Sequence, residues 1–369
     1  MFYHIILTTK CNLKCEYCYG ASCDDFVNEL PENIDITYPE NIDYNIQDLK
    51  RFCDKDPDCT LTFYGGEPLC NLNKIKEIMD KINPKQWMIQ TNAIYLNKLP
   101  SRCTNKFHTI LTSIDGDKEL TNRYRGNTVY ETVLKNIQYI KDNGYKGEII
   151  ARMAVMENTD IYKAVTHLIN IGYTSIHWQL NAMFWENDLK KRNFIEWANN
   201  SYNPGIKKLI EFWINDMKQN NRVLKLYPFL DVTYDLLKNQ TTRLRCGSGH
   251  SNYSIQTDGV IIPCPIMLGM KDYYLGHIKD TDPNSLKKVS CKEPCASCKE
   301  FETCGGRCLY SNILKPWKNE GYHILCPTIY NLIDELRKAL PNIKELIQNN
   351  TISLKDFEHI KYNGCEIIP

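Results

Sequence analysis

Three thiols within eight residues, Cys11, Cys15 and Cys18, follow directly on a short apolar run, Ile5, Ile6 and Leu7 with Thr8 and Thr9. A strand in that run fixes where the thiols emerge, and thiolates this close can converge on a thiophilic metal centre. Zinc would need a fourth donor. A four-iron cluster held by the same three cysteines keeps one iron without a protein ligand. The spacing admits both, so the surrounding sequence has to separate them.

Beyond a polar stretch at residues 21–58, punctuated by Pro31, Pro39 and Pro57, apolar runs alternate with helical periodicity. That stretch reads as loop or a small insertion with a helix near 42–52. Strands are predicted at 59–64, 87–91, 107–114, 148–155 and 175–180, and helices at 72–82, 129–140 and 161–171. With the first strand this makes six βα units, an α/β pattern that predicts a partial (β/α)6 barrel over residues 1–219. Functional loops then belong at the carboxyl ends of the strands. Residues 188–219 read as helix broken at Pro204 and Gly205, 220–245 as a linker, and 246–349 as a small cysteine-rich domain. Its last helix is expected from 329 to about 340, with a turn or two before 349, and 350–369 is left as a tail.

Gly65, Gly66, Glu67 and Pro68 close the strand at 59–64, where glycines let backbone approach a ligand and Glu67 can accept from an ammonium group. Gln90, Thr91 and Asn92 end the next strand, and Ser113, Ile114, Asp115 and Gly116 the one after. The CX3CX2C spacing with the aromatics Tyr17 and Tyr19, and this GGEP loop in this place, resembles the radical S-adenosylmethionine (SAM) superfamily. The resemblance implies a [4Fe–4S] cluster on Cys11, Cys15 and Cys18 whose open iron chelates SAM and reduces its sulfonium, giving a 5′-deoxyadenosyl radical. It also implies SAM contacts from Gly65, Gly66, Glu67, Pro68, Thr91, Asn92, Ser113, Asp115 and Arg152, with Tyr17 packing around cluster and adenine. Read without it, Arg152 is a strand-end salt bridge, and Arg123 and Arg125 either cap a loop or orient substrate.

The second cysteine block runs Cys246, Cys264, Cys291, Cys295, Cys298, Cys304, Cys308 and Cys326. Asp258 and Gly259 between two apolar runs signal a hairpin that ends beside Cys264. Spacing alone makes the block metal-binding without deciding iron–sulfur or zinc. Its CX2CX5CX3C run with a flanking GX4C and a separated cysteine resembles the SPASM domain of peptide- and protein-modifying radical SAM maturases. That resemblance implies two auxiliary [4Fe–4S] clusters. The outer falls to Cys295, Cys298, Cys304 and Cys326; the inner to Cys246, Cys264 and Cys308, with Cys291 a further candidate. Sulfatase maturases carry another cysteine shortly after the first, absent here, so the inner cluster takes Cys291 or exposes an iron to substrate. Where formylglycine-generating maturases place a basic Asp after the cysteine, this chain has Pro265, which cannot take a proton.

A formal charge of +1, from 45 basic and 44 acidic residues, offers no global field for nucleic acid or an anionic membrane, and no RNA-binding motif appears. No apolar run approaches membrane-spanning length. Seventeen cysteines, an odd number, with no secretory signal at the start, predict a reduced cytoplasm with metal-bound thiolates rather than disulfides. Cys23, Cys53, Cys59, Cys70, Cys103 and Cys365 read as core or incidental thiols. The expected function is an anaerobic radical SAM oxidoreductase or maturase that takes hydrogen from a peptide or protein substrate. The outcome is a crosslink such as a thioether, an oxidation or an epimerisation, with electrons from a low-potential ferredoxin or flavodoxin. The chain starts close to its first strand, so substrate recognition is expected from the barrel, the insertion, the auxiliary domain or another protein. Maturation of a small cofactor precursor, or a non-enzymatic Fe–S or zinc module, remains the alternative.

Overall fold

The structure, a computed structural model, describes residues 1–18, 33–181, 192–314 and 320–364. In chain order its principal elements are β1 (Phe2–Ile6), α1 (Ile46–Asp54), β2 (Thr60–Tyr64), α2 (Leu72–Lys81), β3 (Gln86–Thr91), β4 (Phe107–Ser113), α3 (Lys118–Arg125) and α4 (Val129–Asp142). There follow β5 (Glu148–Val155), α5 (Ile161–Asn170), β6 (Ser175–Leu180), α6 (Asn203–Asn220), β7 (Lys225–Leu226) and α7 (Tyr227–Lys238). A hairpin of β8 (Asn252–Ile255) and β9 (Val260–Ile262), then β10 (Gly276–His277) and the long α8 (Glu320–Gln348), complete the list. Two compact units result: Met1–Ile114, Lys118–Ile150 and Gly247–Val289 form one, and Asp115–Asp117, Ala151–Cys246 and Ser290–Pro369 the other.

In the first unit the hydrogen-bonded strand order is β10-β9-β8-β1-β2-β3-β4. The β1, β2, β3 and β4 pairs are parallel, as βα alternation requires. Register pairs Tyr3 with Leu61 and Ile5 with Phe63, so these share a face, while His4 and Thr62 share the other. On the first face Phe63 stacks on Trp87 at 5.1 Å and Tyr3 meets Phe52 of α1 edge-on. Both faces are buried along β1 and β2, which is why those strands carry few charged side chains. The hairpin at Asp258 and Gly259 forms as expected, Gly259 supplying the left-handed turn residue. Beyond the sequence expectation, β8 pairs in parallel with β1, register Phe2 to Asn252, and so extends the same sheet. The described part of the 21–58 stretch is also tied here: Thr9 N donates to Glu40 O and Asp35 N to Gly269 O.

In the second unit β6 pairs in parallel with β7, and Trp178 on β6 packs edge-on against Phe229 of α7 at 5.1 Å, its indole N–H donating to Tyr202 Oη. Three expectations are corrected here. Residues 220–245, read as a linker, contain a twelve-residue helix, α7, largely buried. Pro204 and Gly205 do not break the helix: Pro204 sits in the first turn of α6, where a missing N–H costs nothing, after a π-helical turn over Ala198–Tyr202. The last helix begins at Glu320 rather than 329 and runs through Pro327 and Pro341. Among the described residues no helix is long and apolar enough to cross a membrane.

Candidate metal centres

The cysteine loop leaves β1 through Leu7 and Thr8, and the turn after β2 clamps it. Gly66 N donates to Thr8 O at 2.8 Å and Glu67 N to Lys10 O at 2.7 Å. A Cβ on Gly65 would lie 2.3 Å from Thr8 O, and one on Gly66 2.3 Å from Lys10 O. The two glycines therefore admit the chain's own backbone rather than only a ligand, and they fix where the loop starts. Within the loop Cys18 N donates to Cys15 O, Glu16 N to Tyr124 O at the end of α3, and Leu13 N to Cys11 Sγ at 3.4 Å. Tyr17 packs on Tyr124 at 5.6 Å, and the buried Arg125 guanidinium stands 5.4 Å from the Tyr17 ring. Arg125 thus serves this loop. Tyr19 lies outside the described residues.

Glu67 is buried, and its carboxylate faces protein donors: Leu69 N at 2.9 Å, Thr91 Oγ1 at 2.7 Å and Asn92 N at 2.7 Å. It ties the end of β2 to the end of β3. Burial pushes its pKa up to about 7, against the three hydrogen bonds, which favour the carboxylate. Asn92 in turn donates to Asn12 Oδ1 at 2.7 Å and reaches Cys11 Sγ at 3.8 Å. Burial pushes the Cys11 thiol up to about 11, with Glu67, Cys15 and Cys18 adding negative charge nearby, so metal binding there displaces a proton. Asn12, Tyr124 and Asn136, which donates to Ala93 O and Ile94 O, escaped the sequence reading. Nothing in their spacing marks them; their partners lie in other elements.

The remaining proposed SAM contacts have structural partners. Pro68 starts the short turn Pro68–Asn71, and Ser113 ends β4 half-buried. Asp115, buried, accepts from Ala154 N at 2.9 Å. Arg152 donates to Gln179 Oε1 at 3.2 Å and to Gly364 O at 3.1 Å, and meets His177 Nδ1 at 3.2 Å.

In the second unit Cys295, Cys298, Cys304, Cys308 and Cys326 line one apolar-walled cavity. It holds all four cysteines expected for the outer cluster, Cys326 projecting from α8 beside Tyr330, whose Oη lies 3.4 Å from Cys298 Sγ. Burial and neighbouring thiols raise Cys295 to about 12 and Cys326 to about 11. Burial raises the Cys291 thiol, and the thiols of Cys295, Cys308, Cys246 and Cys304 add negative charge nearby. Gly306 makes its room: a Cβ there would lie 2.7 Å from Cys291 Sγ. Cys264 belongs to the first unit, buried at the end of β9 ahead of Pro265. Among the described residues no three His, Cys, Asp or Glu side chains converge on a single-ion position. A buried ion network braces the same region: Arg245, next to Cys246, bonds Thr303 O, next to Cys304, and pairs with Asp231 and Asp235.

Residues 5–167 match the family model described as the radical SAM superfamily. The cysteine-type anaerobic sulfatase-maturating enzyme of Clostridium perfringens is 26% identical over 329 residues, covering 82% of this chain and 86% of that enzyme. Among solved structures, native anSMEcpe with bound AdoMet superposes with a TM-score of 0.72 at 20% identity, over 94% of this chain and 100% of that one. Streptococcus suis SuiB bound to precursor peptide SuiA superposes at 0.54 with 17% identity, over 84% and 72%. At these identities the superpositions show a shared α/β fold.

Proposed function

We propose that this chain, a radical SAM enzyme by the catalytic domain at residues 5–167, modifies a peptide or protein substrate by hydrogen abstraction. A [4Fe–4S] cluster on Cys11, Cys15 and Cys18 would supply the electron that cleaves SAM and an iron open to SAM's amino and carboxylate groups. The chain's own residues do the rest. The Gly65 and Gly66 turn holds the start of the thiol loop, Asn92 couples Cys11 and Asn12 to the end of β3, and Glu67 locks both strand ends. Fixing these groups before substrate arrives is what directs a reactive radical to one hydrogen. The observation that carries the reading is this clamped loop with three thiols, inside the matched domain.

In the second unit Cys295, Cys298, Cys304 and Cys326 would hold an outer auxiliary cluster, for which the cavity provides the space. Cys246, Cys264 and Cys308 are proposed for an inner one, completed by Cys291, whose buried thiol supports a closed site over an open iron. These groups would take up the electron released when the substrate radical is resolved, and a ferredoxin or flavodoxin would deliver the first. Pro265 argues against a sulfatase-maturase proton transfer and for a different peptide modification.

Anaerobic reconstitution tests this. The account expects about 12 irons per chain, from three four-iron clusters. Replacing Cys11, Cys15 and Cys18 together by Ala is expected to abolish 5′-deoxyadenosine formation and leave about 8 irons. About 4 irons in the unaltered chain, with normal SAM cleavage, would reject the auxiliary clusters.

A further inference from the structure

The stretch after α8 runs as a strap anchored at alternate residues. Phe357, fully buried, meets Trp213 edge-on at 5.9 Å. His359 Nε2 lies 3.2 Å from Asp231 Oδ1, Lys361 pairs with Asp235 and stands over the Tyr234 ring, and Asn363 is 3% exposed. Phe357 closes the 3-10 turn Leu354–Phe357, and the chain turns again at 361–364. Its far end bends: Tyr362 and Gly364 both take positive φ, 64° and 91°. That bend presents the carbonyl of Gly364 to Arg152 Nη1 at 3.1 Å.

The seat is polar and built on two strands. Arg152 comes from β5, and His177 and Gln179, two residues apart on β6, share a face. The intervening Trp178 is turned to the helices. A guanidinium flanked by an imidazole and a primary amide suits a peptide unit, offering donors to its carbonyl and an acceptor to its N–H. The Gly364 carbonyl already accepts from that guanidinium.

We propose that Arg152, His177 and Gln179 form a peptide-backbone subsite, capped by the chain's own Gly364 carbonyl and yielded to an incoming substrate peptide. This rests on the peptide-modifying function proposed above. The test uses the reconstituted holoenzyme and a labelled synthetic peptide of residues 362–369, followed by fluorescence anisotropy without oxygen. A chain ending at Lys361 keeps the Phe357, His359 and Lys361 anchors and is expected to bind the peptide at least tenfold more tightly than the full chain. Gln179→Ala in the shortened chain should then weaken binding at least tenfold. If shortening prevents folding, Gly364→Val in the full chain, strained at that positive φ, should expose the seat in the same way. Equal binding by full and opened chains, none included, or indifference to Gln179→Ala, would overturn the subsite. So would displacement of the peptide by SAM alone, which would assign Arg152 to SAM's carboxylate. SAM cleavage is measured in parallel: its absence sinks the proposed function, whereas cleavage without peptide binding sinks the subsite only.

Discussion

Glu67 shows how much of the site is decided by one buried carboxyl group. Its pKa rises from 4.5 to about 7 because burial penalises the charged form. The folded chain therefore favours the protonated acid, and stabilisation present below pH 4.5 is lost as pH rises to about 7. Glu67→Gln removes that slope: the stability difference between it and the unaltered chain should change by on the order of 3 kcal/mol across this window, read by urea unfolding at several pH values. A parallel pair of curves would contradict the assignment. Arg245 is the comparable residue in the second unit, fully buried against Asp231, Asp235 and the carbonyl beside Cys304. Arg245→Leu leaves two buried carboxylates short of a partner and is expected to cost about 3–5 kcal/mol in denaturant unfolding. The cysteines themselves were legible because thiol spacing is local. Asn12 and Arg245 were not, since each bonds to residues made neighbours only by the fold, and Thr91 and Asn92, expected to contact SAM, prove to be donors to Glu67.

Strands and helices with a clean period were readable from the chain. Those at 148–155 and 175–180 stand where the alternation places them, and Leu72–Lys81 and Val129–Asp142 follow their apolar stripes. Proline is an ambiguous signal within a helical pattern. Pro204 opens a helix, and Pro327 lies inside one whose buried face, from Leu325 through Ile329 and Leu332, holds it together. The α7 helix was missed because it is buried nearly all round its first two turns and so lacks a two-sided pattern. The turn after β2 carries a sharper prediction. Gly66→Ala drives a methyl into the carbonyls of Thr9 and Lys10, at 2.4 and 2.3 Å, and rigid backbone cannot yield as a side chain would. The variant is expected to lose the iron of the amino-terminal cluster, falling from about 12 to about 8 per chain, with the auxiliary iron retained. Full iron loading would show that the clamp is dispensable.

At the scale of the whole molecule, a reading along the chain finds contiguous stretches, whereas sheet pairing joins distant ones. Strand β8 takes its place beside β1 through register of Asn252 with Phe2, and no periodicity announces so distant a partner. Cysteine motifs escape that difficulty, because they keep their spacing wherever the backbone runs. The match of residues 5–167 to the radical SAM family model follows such motifs, whereas the cavity brings Cys308, expected at the inner cluster, together with the four expected at the outer one. The measurement that bears most directly on the account is SAM turnover by the iron-loaded protein, prepared without oxygen and strongly reduced. It predicts a changed cluster spectrum on adding SAM and release of 5′-deoxyadenosine with an equal amount of methionine. A fully loaded protein whose spectrum ignores SAM and which leaves it intact would contradict the account at its base.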